Sequence, residues 1–527
     1  TNLYNVMAKY FVKRKRQCPG DGYEISLSVC KGRQKALYPK CPVCQHRDSA
    51  VSELTEEEAE YTPMETGTRK ILQLSTNQDD AINRQIFKSY DIRGEYPEQL
   101  DEYTSEKIGM ATVLFLKSIK DVKNIVVARD IRLSSNSLTS ALMKGITKAG
   151  VNVIDIGEVS TDTTYFAVGN YNYDAGIMVT ASHNPSNYNG FKICHEQATP
   201  ISFDTGLSTI SEIARQTDLP ASEQHGKIIE KDVLNDYKKY ILGFAANLRP
   251  LKIVIDAGNG MAGKMIPVVF KDLPCEIVPL FFEPDGTFPN HEPNPLDSSN
   301  LRDLQAKVCE TESHLGVAFD GDADRCVFVD EKGQEIGCDL ITAVIAGKLL
   351  QKEKGATILY DLRSSWILPE EIKKAGGNPY RERVGHSHIK ATMREKNAIF
   401  GGELSGHYYF RANYFADSAI IALIEVLNIL SSKNVPMSSL IEPLRKYCST
   451  GEINFEVTDK DKKIEQIAEH FKDGKIDYLD GVTIEYSDWW FNVRKSNTEP
   501  LLRLNLEGKT KAIMEQRKKQ VIDIIEG

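Results

Sequence analysis

No stretch of this 527-residue chain approaches the roughly 20 consecutive apolar residues that span a bilayer as a helix. Its first residues also lack the charged-then-apolar pattern of a secretory leader. Both absences argue against a membrane protein and lead us to expect a cytoplasmic one. The chain opens on Thr1 rather than Met, which reads as a trimmed or incomplete start. A basic excess is missing too: 74 acidic residues outnumber 65 basic ones, for a net charge of -9. That balance argues weakly against a nucleic-acid partner and suits a soluble enzyme. Cysteine is sparse. Cys194, Cys275, Cys309, Cys326, Cys338 and Cys448 stand singly, several in or beside apolar runs where thiols are buried rather than paired, so we read no disulfide framework. What is present is an ordinary apolar share of 41%, enough for a large core, in a length that suggests about three to five domains.

The first 50 residues are basic, with Lys13-Arg14-Lys15-Arg16, and hold the remaining cysteines. Cys41-Pro42-Val43-Cys44 is a C-x-x-C knuckle, and Cys18-Pro19-Gly20-Asp21 is a second whose closing Cys has become Asp21. With Cys30 to complete the set, four thiolates can close a tetrahedral zinc site, and His46 is another candidate for the fourth ligand. A ribbon without metal and free thiols in an unstructured arm are the competing readings. We expect a zinc-ribbon-like module over 1–48, with Cys18, Cys30, Cys41 and Cys44 as its zinc ligands and a capacity to recruit a protein partner. The basic run reads as a solvated face. Residues 49–83, acid-rich with Glu56-Glu57-Glu58, carry too little apolar surface to fold and read as a linker.

From about Arg84 the chain alternates strand and helix patterns, the grammar of an α/β protein with a parallel or mixed sheet. Helices are expected over 101–119 and 134–149, and strands over 124–130, running into a polar loop, and 151–156. Arg93-Gly94 reads as an anion contact on a turn. The apolar run 175–179 reads as a buried strand, and Thr180-Ala181-Ser182-His183-Asn184-Pro185 as the loop leaving it. That loop can expose Ser182 with His183 beside it and Lys192 ten residues on, a nucleophile or a phosphate carrier. Its alternative is a plain turn. Residues 251–260, a strand ending in a Gly turn and followed by a helix, have the grammar of a phosphate turn without a complete motif.

The sharpest chemical signal is Asp320-Gly321-Asp322-Ala323-Asp324-Arg325, set between two expected strands. Three carboxylates at alternate positions on a tight turn repel one another unless a cation neutralises them, and hard oxygen ligands suit Mg²⁺ or Mn²⁺. An EF-hand is the rival, since Glu331 falls at its twelfth position. However, Arg325 takes the place of the sixth-position Gly, and the flanks are β. Three ligands are few, so the metal should want another oxygen. Further on, Arg363 follows a strand, and His386, His388 and Lys390 sit on a loop entering a helix. Gly402-Glu403-Leu404-Ser405-Gly406-His407 offers Glu and Ser to vicinal hydroxyls, and a helix over 415–432 is expected to begin at Asp417. Near the end, Arg494, Ser496, Asn497 and Thr498 lie between strands and supply the donors that a phosphate dianion needs.

These loops stand in separate units and would meet in a cleft. In order and spacing they resemble the α-D-phosphohexomutase family, and within it the phosphomannomutase/phosphoglucomutase group, from about residue 84 to the end. The resemblance implies four domains: 84–228, 229–337, 338–444 and 445–527. The first three would share a related mixed α/β fold and the last would be a smaller α+β domain like the TATA-box-binding protein. It implies that Ser182 is a phosphoserine and that Asp320, Asp322 and Asp324 bind Mg²⁺ with an oxygen on Ser182. Arg325 would lie beside the phosphoserine. Glu403 and Ser405 would hold sugar hydroxyls with His407 nearby, and Arg494, Ser496, Asn497, Thr498 and Arg503 the non-reacting phosphate. Tyr90, Arg93, His183, Lys192, Arg363 and His386 match further cleft positions, with His386, Lys192 and Arg93 the open candidates for the base. The implied reaction moves phosphate between positions 1 and 6 of mannose or glucose phosphate through a 1,6-bisphosphate, which is also the activator. The Gly-Glu-Leu-Ser-Gly-His wording is that of the mannose/glucose group, whereas glucosamine-phosphate mutases usually have Gln before the Ser. A phosphoglucosamine mutase and an inert protein that binds through its Cys module are the alternatives.

Overall fold

The computed structural model describes residues 15–17, 24–26, 82–496 and 501–527. Two units divide the chain, Thr1–Asp80 with Leu116–Asp121, and Ala81–Phe115 with Val122–Gly527. In the smaller, β1 (Lys15–Gln17) and β2 (Glu24–Ser26) form an antiparallel pair. The predicted zinc ligands Cys18, Cys30, Cys41 and Cys44 lie outside the described residues, as does nearly all of the expected linker.

The larger unit uses one strand arrangement three times. The first sheet contains β3 (Ile92–Glu95), β4 (Asn124–Arg129), β5 (Asn152–Glu158), β6 (Ala175–Val179), β7 (Tyr188–His195), β8 (Thr199–Pro200) and β9 (Ile228–Glu230). Its order is β3-β7-β6-β4-β5-β9, with β8 on β7. The second holds β10 (Leu251–Asp256), β11 (Cys275–Leu280), β12 (Leu315–Phe319), β13 (Cys326–Asp330) and β14 (Glu335–Ile336), ordered β11-β10-β12-β13-β14. The third holds β15 (Thr357–Asp361), β16 (Asn378–Glu382), β17 (Phe400–Gly402), β18 (Tyr408–Phe410) and β19 (Ala416–Asp417), ordered β16-β15-β17-β18-β19. In each, a middle strand (β4, β10, β15) has parallel neighbours on both sides, and one of these turns back as an antiparallel hairpin. β6 and β12 are buried at every residue, as strands covered on both faces must be, which explains their unbroken apolar runs.

The repetition positions chemistry. The hairpin turns β6–β7, β12–β13 and β17–β18 carry Ser182, the three aspartates, and Glu403 with Ser405 and His407. An aspartate at the end of each middle strand, or directly after it in β4, braces the next turn. Asp130 accepts from Arg132 N at 3.0 Å and its Nε at 3.2 Å, and Asp361 from Arg363 N at 2.7 Å and its Nε at 3.1 Å. Asp256 accepts from Gly258 N at 2.8 Å, with His291 Nε2 3.1 Å away in the place of an arginine.

The expected helices form as α1 (Glu102–Ile119) and α2 (Ser135–Lys148). They are followed by α3 (Thr161–Asn170), α4 (His386–Lys396) and α5 (Ala419–Lys433). Asp417 does not begin α5, contrary to expectation. Pairing of β18 with β19 claims Asp417, and the Ser418 side chain caps the helix by accepting from Ile421 N at 3.2 Å. Arg93-Gly94 is likewise no turn but part of β3, registered against Gly190 and Asn189 of β7. The last sheet, β20 (Cys448–Phe455), β21 (Lys475–Asp477), β22 (Val482–Glu485), β23 (Trp489–Lys495) and β24 (Leu502–Gly508), is wholly antiparallel in the order β20-β24-β23-β22-β21. It packs α6 (Lys460–His470) and α7 (Lys511–Glu526) on a core of its own that includes Trp489, Phe491, Leu504 and Val521. This gives three α/β domains and a smaller α+β one. Among the described residues, no single helix is long and apolar enough to cross a membrane.

One buried carboxyl joins three domains. Asp162 of α3 accepts from Ser160, from Tyr237 Oη at 2.8 Å and from Ser418 Oγ at 2.6 Å. Burial pushes its pKa up to about 6.

Candidate active site

Ser182 sits on the β6–β7 turn, fully buried, with a left-handed φ of 53°. That conformation costs a non-glycine residue about 1 kcal/mol or more, and the surrounding bonds hold it. Ser182 N donates to Thr180 Oγ1 at 2.9 Å. Arg132, 2% exposed, donates to the carbonyls of Ser182 (2.8 Å), Asn184 (2.7 Å), Pro185 (2.6 Å) and Tyr188 (3.0 Å). Its guanidinium lies over the Phe288 ring. Sequence reasoning missed Arg132. The available signal was Asp-x-Arg after an apolar strand, present at Asp130-Ile131-Arg132 and again at Asp361-Leu362-Arg363.

The Ser182 hydroxyl donates to Asp320 Oδ2 at 2.6 Å. Asp320, Asp322 and Asp324 are buried, with ligand oxygens all within 4.8 Å of one another. Lys192 Nζ bonds Asp322 at 2.6 Å and also Asp324. Despite burial, those two carboxylates hold the lysine above its usual range. Burial and the charges of Asp322 and Asp324 push Asp320 well up, whereas Lys192 and His407 outweigh burial and hold Asp324 well down. Asp322 Oδ1 and Asp324 Oδ1 are buried with no hydrogen-bond partner among the described residues. Unsatisfied carboxylate oxygens facing one another in a buried turn fit a hard divalent cation, with Ser182 Oγ beside them for a further ligand. The EF-hand rival fails on geometry, because Glu331 is turned to Ser438, whose N donates to it at 3.0 Å. Arg325 Nε lies 3.7 Å from Asp320 and 4.0 Å from Asp324.

His183 Nδ1 is 3.5 Å from Ser182 Oγ, too long for a strong bond. Burial and the nearby Arg325 and Arg93 hold its pKa well below the usual value. Arg93 pairs with Asp91 and donates to Asn184 Oδ1 at 2.6 Å, so it braces the serine loop from β3.

The third domain supplies the next wall. Glu403 Oε1 accepts from Gly385 N at 3.1 Å and Oε2 from Tyr409 Oη at 2.8 Å. His407 and Arg363 outweigh burial and keep Glu403 ionised, far below its ordinary pKa. His407 has Ser405 Oγ 2.9 Å from Nδ1, and Asp324 3.5 Å and Asp417 3.7 Å from Nε2. Burial and Arg325 push His407 down, but Asp324 and Glu403 prevail and leave it at about 8. His386 opens α4 with its ring 6.0 Å from that of His407, and its buried Nδ1 has no hydrogen-bond partner among the described residues. Burial and Lys390 hold it well below 6.5. Tyr90 crosses from the first domain, edge-on to His386, and donates to Val384 O at 2.7 Å. That approach needs Gly385, where a Cβ would meet the tyrosine ring at 2.3 Å.

The fourth domain brings Arg494 on β23 and Arg503 on β24 towards Arg363, all three around Glu452. Ser496 closes the hairpin with its N–H on Leu501 O at 2.9 Å. The predicted Asn497 and Thr498 lie outside the described residues. Sequence reasoning missed Glu452, which has no motif around it.

A buried serine beside an acid cluster fit for a divalent cation, a polar middle, and arginines on a separate domain define an enzyme that moves a phosphoryl group within a doubly anchored substrate. Family comparison agrees in all four domains. The descriptions that match are Phosphoglucomutase/phosphomannomutase alpha/beta/alpha domain I over 84–221, domain II over 235–333, domain III over 338–447 and the C-terminal domain over 452–524. The chain is 40% identical over 452 residues to a phosphomannomutase of Vibrio cholerae, covering 83% of this chain and 98% of that one. It is 37% identical over 446 residues to a phosphomannomutase of Methanocaldococcus jannaschii, covering 84% and 97%. A phosphoglucomutase/phosphomannomutase family protein from Burkholderia thailandensis superposes with a TM-score of 0.79 at 35% identity, over 84% of this chain and 98% of the other. The chain belongs to the phosphoglucomutase/phosphomannomutase family and is a phosphohexomutase, an isomerase that works by intramolecular phosphoryl transfer. Enzymes of this family depend on Mg²⁺.

Proposed function

We propose that this enzyme interconverts the 1- and 6-phosphates of mannose and glucose. The observation that carries the reading is the Ser182 hydroxyl held 2.6 Å from Asp320 at the edge of the acid cluster. Its phosphorylated form gives its phosphoryl group to the free hydroxyl of the sugar phosphate. The serine oxygen is the leaving group, and a 1,6-bisphosphate forms. The bisphosphate turns over in the cleft, and Ser182 takes back the other phosphate. Mg²⁺ held by Asp320, Asp322 and Asp324 would offset charge on the transferring group.

The chain's own residues do the rest. Arg132 and Arg93 hold the serine loop, while Lys192 and Arg325 set positive charge against the reacting end. Glu403, with Ser405 and His407, meets the sugar hydroxyls. Arg494, Arg503 and Ser496, together with Asn497 and Thr498, hold the phosphate that does not react. Of the three candidate bases, Lys192 is locked between two carboxylates, and Arg93 is a guanidinium, which does not give up its proton in proteins. His386, a buried imidazole whose Nδ1 has no hydrogen-bond partner among the described residues, is our choice.

The test supplies mannose 1-phosphate, glucose 1-phosphate or glucosamine 1-phosphate with Mg²⁺ and a trace of the matching bisphosphate, and follows the 6-phosphate. Turnover of the mannose and glucose compounds is expected. Turnover of the glucosamine compound alone would replace this reading with a phosphoglucosamine mutase, and no turnover of any would end it.

A further inference from the structure

Three guanidinium groups meet on one carboxylate. Glu452 of β20 places Oε2 2.9 Å from Arg494 Nη2 and 3.4 Å from Arg363 Nη1, and Oε1 3.0 Å from Arg503 Nη1. Arg494 and Arg503 are direct cross-strand partners on β23 and β24. Like charges so placed destabilise a sheet unless an anion lies between them. Arg363 comes from another domain, its fork held by Asp361. The Arg494 side chain is 1% exposed, and its Nε has no hydrogen-bond partner among the described residues. The cluster therefore keeps a buried donor that Glu452 does not use.

A carboxylate and a phosphate present the same kind of oxygen to such donors, the phosphate with more charge and more oxygens. We infer that Glu452 is an internal competitor for the phosphate site: its carboxylate holds the three arginines while no phosphate is on them, and yields them when the non-reacting phosphate binds. This rests on the reading of Arg494 and Arg503 as phosphate donors. The reaction supplies a reason for such a competitor. The bisphosphate must leave these arginines once in every cycle to present its other end to Ser182. Without a replacement anion, each departure would leave buried Arg494 facing Arg503 with no counterion between them, while Arg363 would keep Asp361. With Glu452 beside them, the phosphate leaves against a smaller cost. Glu452 is thus a positioning residue that tunes release, and it touches no reacting atom.

The experiment measures the Ki of inorganic phosphate as a competitive inhibitor, together with KM and kcat, in the full-length enzyme and its Glu452→Gln variant. Loss of the competing charge should lower Ki and KM about fivefold and lower kcat, because release slows. A Ki that is unchanged or raised overturns the proposal and makes Glu452 a brace. Glu452→Asp, which keeps the charge but withdraws it by one methylene, should shift Ki in the same direction, and it decides the matter if the Gln variant does not fold. Arg494→Ala serves as the separating arm. If its Ki does not rise, the phosphate-site reading itself fails. If its Ki rises while that of Glu452→Gln does not fall, only the competitor role fails.

Discussion

The two ends of the proposed site solve one problem with opposite signs. At the reacting end, Asp320, Asp322 and Asp324 crowd three carboxylates into one turn, and Lys192 and Arg325 offset them. At the far end, Arg363, Arg494 and Arg503 crowd three guanidinium groups, and Glu452 offsets them. Each cluster is costly by itself, since buried like charges repel in a medium that screens them poorly. On the proposed function each receives an opposite charge, a cation at one end and a phosphate at the other. The difference lies in covalency. On the proposed function the acid end holds the group that breaks and makes bonds, so its losses should appear in kcat. The basic end only grips, so its losses should appear in KM.

That division is open to test. Ser182→Ala should lower kcat by about 1000-fold or more, with thermal unfolding unchanged. A variant that kept a tenth of its activity would remove Ser182 from the chemistry. Chelation of the divalent metal, or Asp322→Asn, should cost about 100- to 1000-fold in kcat and leave the Ki of inorganic phosphate at the arginine end within twofold. A parallel loss of phosphate binding would show that the two ends are one site. Arg494→Ala should lower kcat/KM by about 100-fold, most of it in KM. The contrast breaks if the loss falls on kcat instead. Arg132→Lys keeps the charge but not the fork that reaches four carbonyls, and should lower kcat about tenfold with KM little changed.

The smallest effect on turnover belongs to Asp162, which neither end uses. Its pKa is raised to about 6 by burial, so the folded state binds its proton more tightly than the unfolded one. Its contribution to stability therefore falls as pH rises from about 4 towards 6, by roughly 3 kcal/mol in all. Asp162→Asn should flatten that slope in denaturant unfolding measured across pH 4 to 7, with activity at pH 7 within a few-fold. A wild-type slope that survives the substitution would locate the titration elsewhere.

The elements were legible where their pattern is local. β6 and β12 announce themselves by runs that must be buried on both faces, and the Asp320–Asp324 turn by carboxylates that cannot stand together without a cation. The start of α5 was misread because Asp417 and Ser418 are both good caps, and only pairing with β18 decides between them. Arg93 was placed on a turn because nothing near it in the chain reveals that β7, about a hundred residues on, would take it as a neighbour. Arg132 went unnoticed because its work is on backbone carbonyls 50 to 56 residues away. Glu452 was invisible because its partners come from β23, β24 and the loop after β15.

The amino-acid order alone determined which loops hold residue types fit for chemistry and of what kind, because residue types state their own charge, ligand hardness and donor count. The Ser182 loop, the acid turn, the Glu403 turn and the arginines of the last domain could be read that way. Only the tertiary structure decided which side chains answer one another, namely Arg132 beneath Ser182, Lys192 between two aspartates, and Glu452 among three arginines. The reason is physical. A buried charge is tolerated only beside its counterion, and for Lys192 and Arg494 that counterion comes from a strand or loop far off in the chain, brought near by a sheet arrangement used three times and a fourth domain set against it.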